Sequence, residues 1–146
     1  MGQQQLLLVI LVTIIVGIAA VVALNTFSAA ADAASRDALQ LDLALVASSA
    51  QGYYFRPAML GGGGRTFQDI DFTKFNFSGR VVDGNVLEAS NENGVYIISA
   101  IQPGEFIVTG SIQDSRNTMV SARVCPNGFR LGTIGYEAAP EPPACM

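Results

Sequence analysis

Histidine is absent from this chain, and lysine occurs once, as Lys74. The commonest general base and the commonest metal ligand are thereby removed. Charge of either sign is missing from residues 1 to 31; all eight cations and twelve acids lie beyond, for a net charge of −4. An acidic chain without a basic patch is not built to hold nucleic acid through its phosphates. Proline is missing before Pro57, and cysteine is limited to Cys125 and Cys145. The length of 146 residues fits one modest domain plus one extra element. The charge gap divides that length into an uncharged apolar head and a polar body.

The head is dominated by Leu6 to Leu24, LLLVILVTIIVGIAAVVAL, interrupted only by Thr13 and Gly17. As a helix this run covers about 28 Å, roughly the hydrocarbon core of a bilayer. A secretory signal peptide has a shorter apolar region, a basic start and a small-residue cleavage site. Here the start is Met1-Gly2-Gln3-Gln4-Gln5, without a cation. Myristoylation requires Ser or Thr where Leu6 stands. The nearest basic residue is Arg36, so the usual orienting charge beside a membrane span is missing. Either a short basic leader preceding Met1 has been removed, or Met1 is the genuine start and orientation comes from elsewhere.

Beyond Leu24 the pattern stays helical. Alanine, the best helix former, dominates up to Pro57. Asp32 and Arg36 stand i,i+4 with the acid first, the favourable order. Leu39, Leu43, Val46, Ala50 and Tyr53 follow one helical face. Leu39, Leu41, Leu43 and Leu45 also alternate as a strand would, but within a long alanine-rich stretch the helix is the expectation. Pro57 and the glycines Gly61 to Gly64 mark the stop. One helix from about residue 3 to about residue 56, apolar on every side at first and amphipathic later, suits a chain that lies first in a bilayer and later in a helical bundle.

The remainder reads as β structure. After the cluster Phe67, Phe72, Phe75 and Phe77, short runs alternate with turn signals. Val81-Val82 meets Asp83-Gly84 before Val86-Leu87, and a turn is expected over Asn91 to Gly94. Strands are expected over Gly94 to Ile101, Glu105 to Gln113, Thr118 to Cys125 and Phe129 to Tyr136, with turns at Pro103-Gly104, Asp114 to Asn117 and Pro126 to Gly128. The spacing describes an antiparallel meander whose thin core needs the amphipathic helix as cover. The expected fold class is therefore α+β. Its segments are 1–25 (apolar helix), 26–60 (amphipathic continuation), 61–64 (glycine linker) and 65–146 (antiparallel β domain with a C-terminal disulfide loop).

A Cys125–Cys145 bridge would close a loop of about twenty residues and stabilise the fold by roughly 3 kcal/mol in the chain-entropy model. It suits an extracytoplasmic body and a proline-rich tail, Ala138 to Met146, with little else to hold it. Two unrelated reduced thiols are the alternative.

A long N-terminal helix, apolar then amphipathic, capped by a small antiparallel sheet with a C-terminal disulfide loop, resembles the type IV pilin superfamily. The likeness covers the whole architecture, and its specific motif lies at the N-terminus. It implies a basic leader cut before the apolar run by a prepilin peptidase. It further implies insertion in the inner membrane, then assembly by pilus machinery into a helical homopolymer. The family usually carries glutamate at the fifth mature position, paired with a neighbour's amine; here Gln5 stands there, which can accept a hydrogen bond but cannot neutralise charge. The resemblance is therefore to a divergent pilin-like subunit.

Other motifs have plain readings. Gly61 to Gly64 with Arg65 lack the Gly-Lys-Ser/Thr of a phosphate loop and read as a flexible linker. Asp69 and Asp71 are too few for a calcium loop and read as solvated carboxylates. Tyr53, Tyr54 and Phe55 read as core packing, with a stacking surface as the alternative. Asn76-Phe77-Ser78 is a glycosylation sequon, meaningful where the site is exposed and the machinery present. Gly17 permits close helix approach but has no small partner four residues away. No catalytic constellation, cofactor or metal site is expected.

The expected function is that of a structural subunit of an extracellular filament. Its contact surface would comprise Met1 and Gln5 with Leu6, Leu7, Leu8, Val9, Ile10, Leu11, Val12, Ile14, Ile15, Val16, Gly17, Ile18, Val21, Val22 and Leu24, and Cys125–Cys145 would hold the surface domain. Two alternatives are a pseudopilin forming short periplasmic polymers, and a single-pass anchored domain that binds a ligand without polymerising.

Overall fold

A computed structural model of the chain describes residues 2–112, 118–136 and 140–145. Met1, the turn expected over Asp114 to Asn117, and residues 137–139 and 146 of the tail lie outside the described residues. The fold is α+β: one long N-terminal helix, then an antiparallel sheet. The chain divides into two compact units, residues 1–34 and 35–146.

Helix α1 runs Gly2–Phe55, 54 residues without a proline. In the first unit every described residue is solvent-exposed. Burial begins in the second unit, where Leu39, Leu43, Val46, Ala47, Ala50 and Tyr53 form the packed face. Leu41 and Leu45 stay outside, so the alternating leucines obey the helical period.

The glycine run read as a linker is hydrogen-bonded throughout. The chain enters it through a 3-10 turn at Ala58–Leu60. The N–H groups of Gly63, Arg65 and Gly64 then donate to the carbonyls of Tyr53, Tyr54 and Arg56, at 2.9, 2.9 and 3.0 Å. Those carbonyls have no partner within the helix, so the glycines cap α1. Close approach dictates the residue type: a Cβ at Gly62 would lie 2.2 Å from the Arg56 carbonyl oxygen, and one at Gly63 would lie 2.2 Å from that of Thr66.

The sheet is the expected meander. Strands β1 (Arg80–Val82), β2 (Asn85–Ser90), β3 (Gly94–Ser99), β4 (Phe106–Ile112), β5 (Thr118–Cys125) and β6 (Gly128–Leu131) pair in sequence order, and β7 (Gly135–Tyr136) pairs with the other end of β5. Two strands depart from expectation. The third stops at Ser99, because Ala100 turns to a left-handed φ of 49°. The last is broken into β6 and β7: Gly132 N–H still donates in register to the Ser121 carbonyl at 2.7 Å, but the pairing with β5 slips by one residue between Ala122–Leu131 and Met119–Gly135.

The core lies between α1 and one face of the sheet. Tyr96 and Ile98 of β3, Phe106 and Val108 of β4, and Val120, Ala122 and Val124 of β5 meet the helix face, while Phe67, Ile70 and Phe72 close the cluster. Leu39 sits over a hollow left by two glycines. A Cβ at Gly94 would fall 2.7 Å from Leu39 Cδ1, and one at Gly110 would fall 3.2 Å from the same side chain. Leu39→Ala should leave that hollow empty and destabilise the second unit by about 2–5 kcal/mol. Chaotrope denaturation of the detergent-solubilised chain measures the cost; a change under about 1 kcal/mol would mean the site collapses around the loss.

Candidate assembly surface

The apolar residues expected at a contact surface all lie on the first part of α1. Leu6, Leu7, Leu8, Val9, Ile10, Leu11, Val12, Ile14, Ile15, Val16, Ile18, Val21, Val22 and Leu24 are exposed, from 48% at Val12 to 70% at Leu7 and Leu24. Gln5 is exposed at the start of the helix, and a Cβ at Gly17 would meet nothing within 4 Å. Met1 lies outside the described residues.

The polar interruptions are neutralised internally. Thr13 Oγ1 donates to the Ile10 carbonyl and Thr26 Oγ1 to the Val22 carbonyl, both at 2.8 Å. Back-bonding of this kind removes the hydroxyl's demand for water, so the surface is apolar through both positions. Phe27, 76% exposed, extends that surface beyond Leu24, and the sequence reading did not include it. Its signal was the absence of charge up to residue 31. The helix is long and apolar enough to cross a membrane.

The second unit holds two polar constructions, one that sequence reasoning did not find and one that adds unforeseen contacts to the expected Cys125–Cys145 bridge. The first is centred on Asp42. Its Oδ2 accepts hydrogen bonds from Tyr96 Oη (2.6 Å), Asn91 Nδ2 (2.7 Å) and Asn93 Nδ2 (2.8 Å). Asn91 Oδ1 in turn accepts the backbone N–H groups of Asn93 and Gly94, fixing the β2–β3 turn. One carboxylate thus joins α1 to that turn and to β3. Burial raises the Asp42 pKa, but the three donors outweigh it and hold the carboxyl below its ordinary value. Burial first, and then the bond to Asp42 and its charge, push the Tyr96 phenol far above its ordinary value, so Tyr96 remains the donor.

That shift fixes the sign of a pH effect. A carboxyl with a lowered folded-state pKa contributes stability that is fully present above the unfolded pKa and is lost as pH falls through the folded one. Asp42→Asn should therefore lower Tm at neutral pH and shallow its decline through the acidic carboxylate range. Parallel acid limbs for the two proteins would show that Asp42 does not carry the effect.

The second construction ties down the tail. Cys125 and Cys145 are disulfide-bonded, with Cα atoms 5.9 Å apart. The bridge does not act alone, as the tail composition had suggested. Arg123, buried on β5, donates to Glu105 (2.5 Å), to Glu141 (2.6 Å) and to the Pro142 carbonyl (3.3 Å). Ser121 Oγ donates to the Pro140 carbonyl. Both faces of β5 are thus covered, one by the helix and one by the tail, and Gln51 Nε2 reaches the Cys125 carbonyl at 3.1 Å. The sequence signal was the polar alternation of Ser121, Arg123 and Cys125 within an otherwise apolar strand.

No family model, curated protein or solved structure matches this chain. Chemistry must therefore be read from the residues alone. The remaining motifs resolve simply. The N–H groups of Gly61 to Gly64 all donate to carbonyls of the helix end and the turn after it (Tyr53, Arg56, Pro57 and Ala58), leaving no cradle for phosphate. Asp71 accepts from the N–H and hydroxyl of Thr73. Tyr53 is buried, Tyr54 stacks on Phe67 with centroids 4.7 Å apart, and Phe55 is exposed. Among the described residues, no group of three or more cysteines or carboxylates is placed to hold a metal ion.

Proposed function

We propose that this chain is a structural subunit of an extracellular, type IV pilus-like filament, polymerising through the apolar surface of α1. The observation that carries the reading is that unbroken surface, with its threonine hydroxyls turned inward. At roughly 25 cal/mol per Å², covering nineteen residues from Leu6 to Leu24 is worth on the order of tens of kcal/mol before association costs reduce it. Lipid supplies the cover before assembly. Once the chain leaves the bilayer, only other copies of the same surface can, and a helical array of apolar helices does so for every subunit except those at its ends. The partners are therefore further copies of the chain, the membrane beforehand, and an assembly machinery that extracts it. The disulfide suits a body outside the cytoplasm. A structural role assigns no catalysis to the chain.

A second reading has one observation in its favour. The apolar run also matches the thickness of a single bilayer, as expected of a plain anchor bearing an extracytoplasmic domain. Negative-stain microscopy of material sheared from cells, with sequencing of the protein recovered, separates the two. Fibres built of this chain support the filament. A sheared fraction without the chain, and all of it in the membrane pellet, supports the anchor.

A further inference from the structure

We propose that Asn76 is a site of N-linked glycosylation. In Asn76-Phe77-Ser78 the outer two residues are exposed and the middle one is half-buried. Phe77 is pinned between Phe72 and Tyr96, with ring centroids 5.0 and 5.3 Å away. Gly79 permits that anchoring, because a Cβ there would fall 2.3 Å from the Phe77 ring. The acceptor amide and the hydroxyl two residues on are thus held outward together, bordering one shallow depression of about 150 Å³ with Leu45 and Ser49. A glycosyltransferase must engage this pair together.

A further feature favours modification. Among the described residues, no loop hydrogen bond involves the backbone of residues 75 to 79, and the Asn76 side chain makes none, so no such bond has to break when the segment enters an enzyme's cleft. The donor class is a polyprenyl diphosphate-linked sugar. Asn76 Nδ2 forms a bond to the sugar's anomeric carbon as the bond from that carbon to phosphate breaks. The diphosphate leaves with the electron pair, and the amide proton passes to a carboxylate of the transferring enzyme. A glycan there would also screen Leu45, which is 56% exposed beside the site.

The proposal requires an extracytoplasmic second unit and not polymerisation, so its failure and that of the filament reading are separable. The test is peptide mass spectrometry on the full chain isolated from its own cells. Trypsin releases Phe75 to Arg80 as one peptide, since Lys74 and Arg80 are both cleavage sites. The wild type and Ser78→Thr should carry a glycan mass on this peptide, lost completely in Asn76→Gln and Ser78→Ala. Both lost positions are exposed, and an unchanged disulfide-linked tail peptide reports a folded chain. A wild-type peptide recovered wholly unmodified would overturn the proposal, as would a glycan that persists in Asn76→Gln.

Discussion

Val12→Asp is expected to abolish fibres while leaving the second unit folded. Val12 lies in the middle of the apolar run, and Ile15→Asp is the companion substitution one turn on. In a packed array of helices the new carboxylate would be buried without a partner. Transfer of an unpaired charge from water costs several kcal/mol even after relaxation, and every subunit would bear that cost. The same substitution leaves Tyr96, Leu39 and the disulfide untouched, all of them in the second unit. The expected result is a chain with normal Cys125–Cys145 pairing and no sheared fibres. Fibres at the wild-type yield from either variant would be incompatible with a core built from this surface.

Cys125→Ser should lower the stability of the second unit by about 3 kcal/mol, the loop-closure contribution of a bridge of this span. For a unit of this size the corresponding fall in Tm is on the order of 10–20 °C. Cys145→Ser opens the same loop and should give the same fall, and reduction of the wild type should reproduce it. Arg123 and Ser121 still hold the tail to β5 in these variants, so the fold should survive the loss. Thermal unfolding of the detergent-solubilised chain, with and without reductant, measures the effect. Coincident curves under both conditions would show that the bridge contributes nothing.

The helix and its buried face were legible because both rest on period and composition. Leu39, Leu43, Val46, Ala50 and Tyr53 recur at helical spacing, and nothing before Pro57 interrupts them. The meander was legible because its turns carry Asp-Gly, Asn-rich and Pro-Gly signals at short intervals. What escaped depends on side chains distant in sequence. Asp42 meets Asn91, Asn93 and Tyr96 across 49 to 54 positions, and no local pattern announces such a meeting. Arg123 reaches Glu105 and Glu141 from the middle of a strand for the same reason. The glycine run escaped differently: composition alone cannot separate four slack glycines from four that are needed so that the backbone can fold against a helix end. Phe27 escaped because the apolar run was bounded at Leu24 by polarity of the next residues, whereas Thr26 satisfies its hydroxyl on the Val22 carbonyl.

Site-specific photocrosslinking at Ile15 tests the exchange of lipid for protein most directly. A photoreactive amino acid placed there in the full chain, irradiated in cells and in sheared material, reports what touches the apolar surface in each. Lipid adducts are expected in the membrane fraction, and a ladder of covalent dimers, trimers and higher multimers in the sheared fraction. Lipid adducts alone in every fraction, with no multimers, would contradict the account.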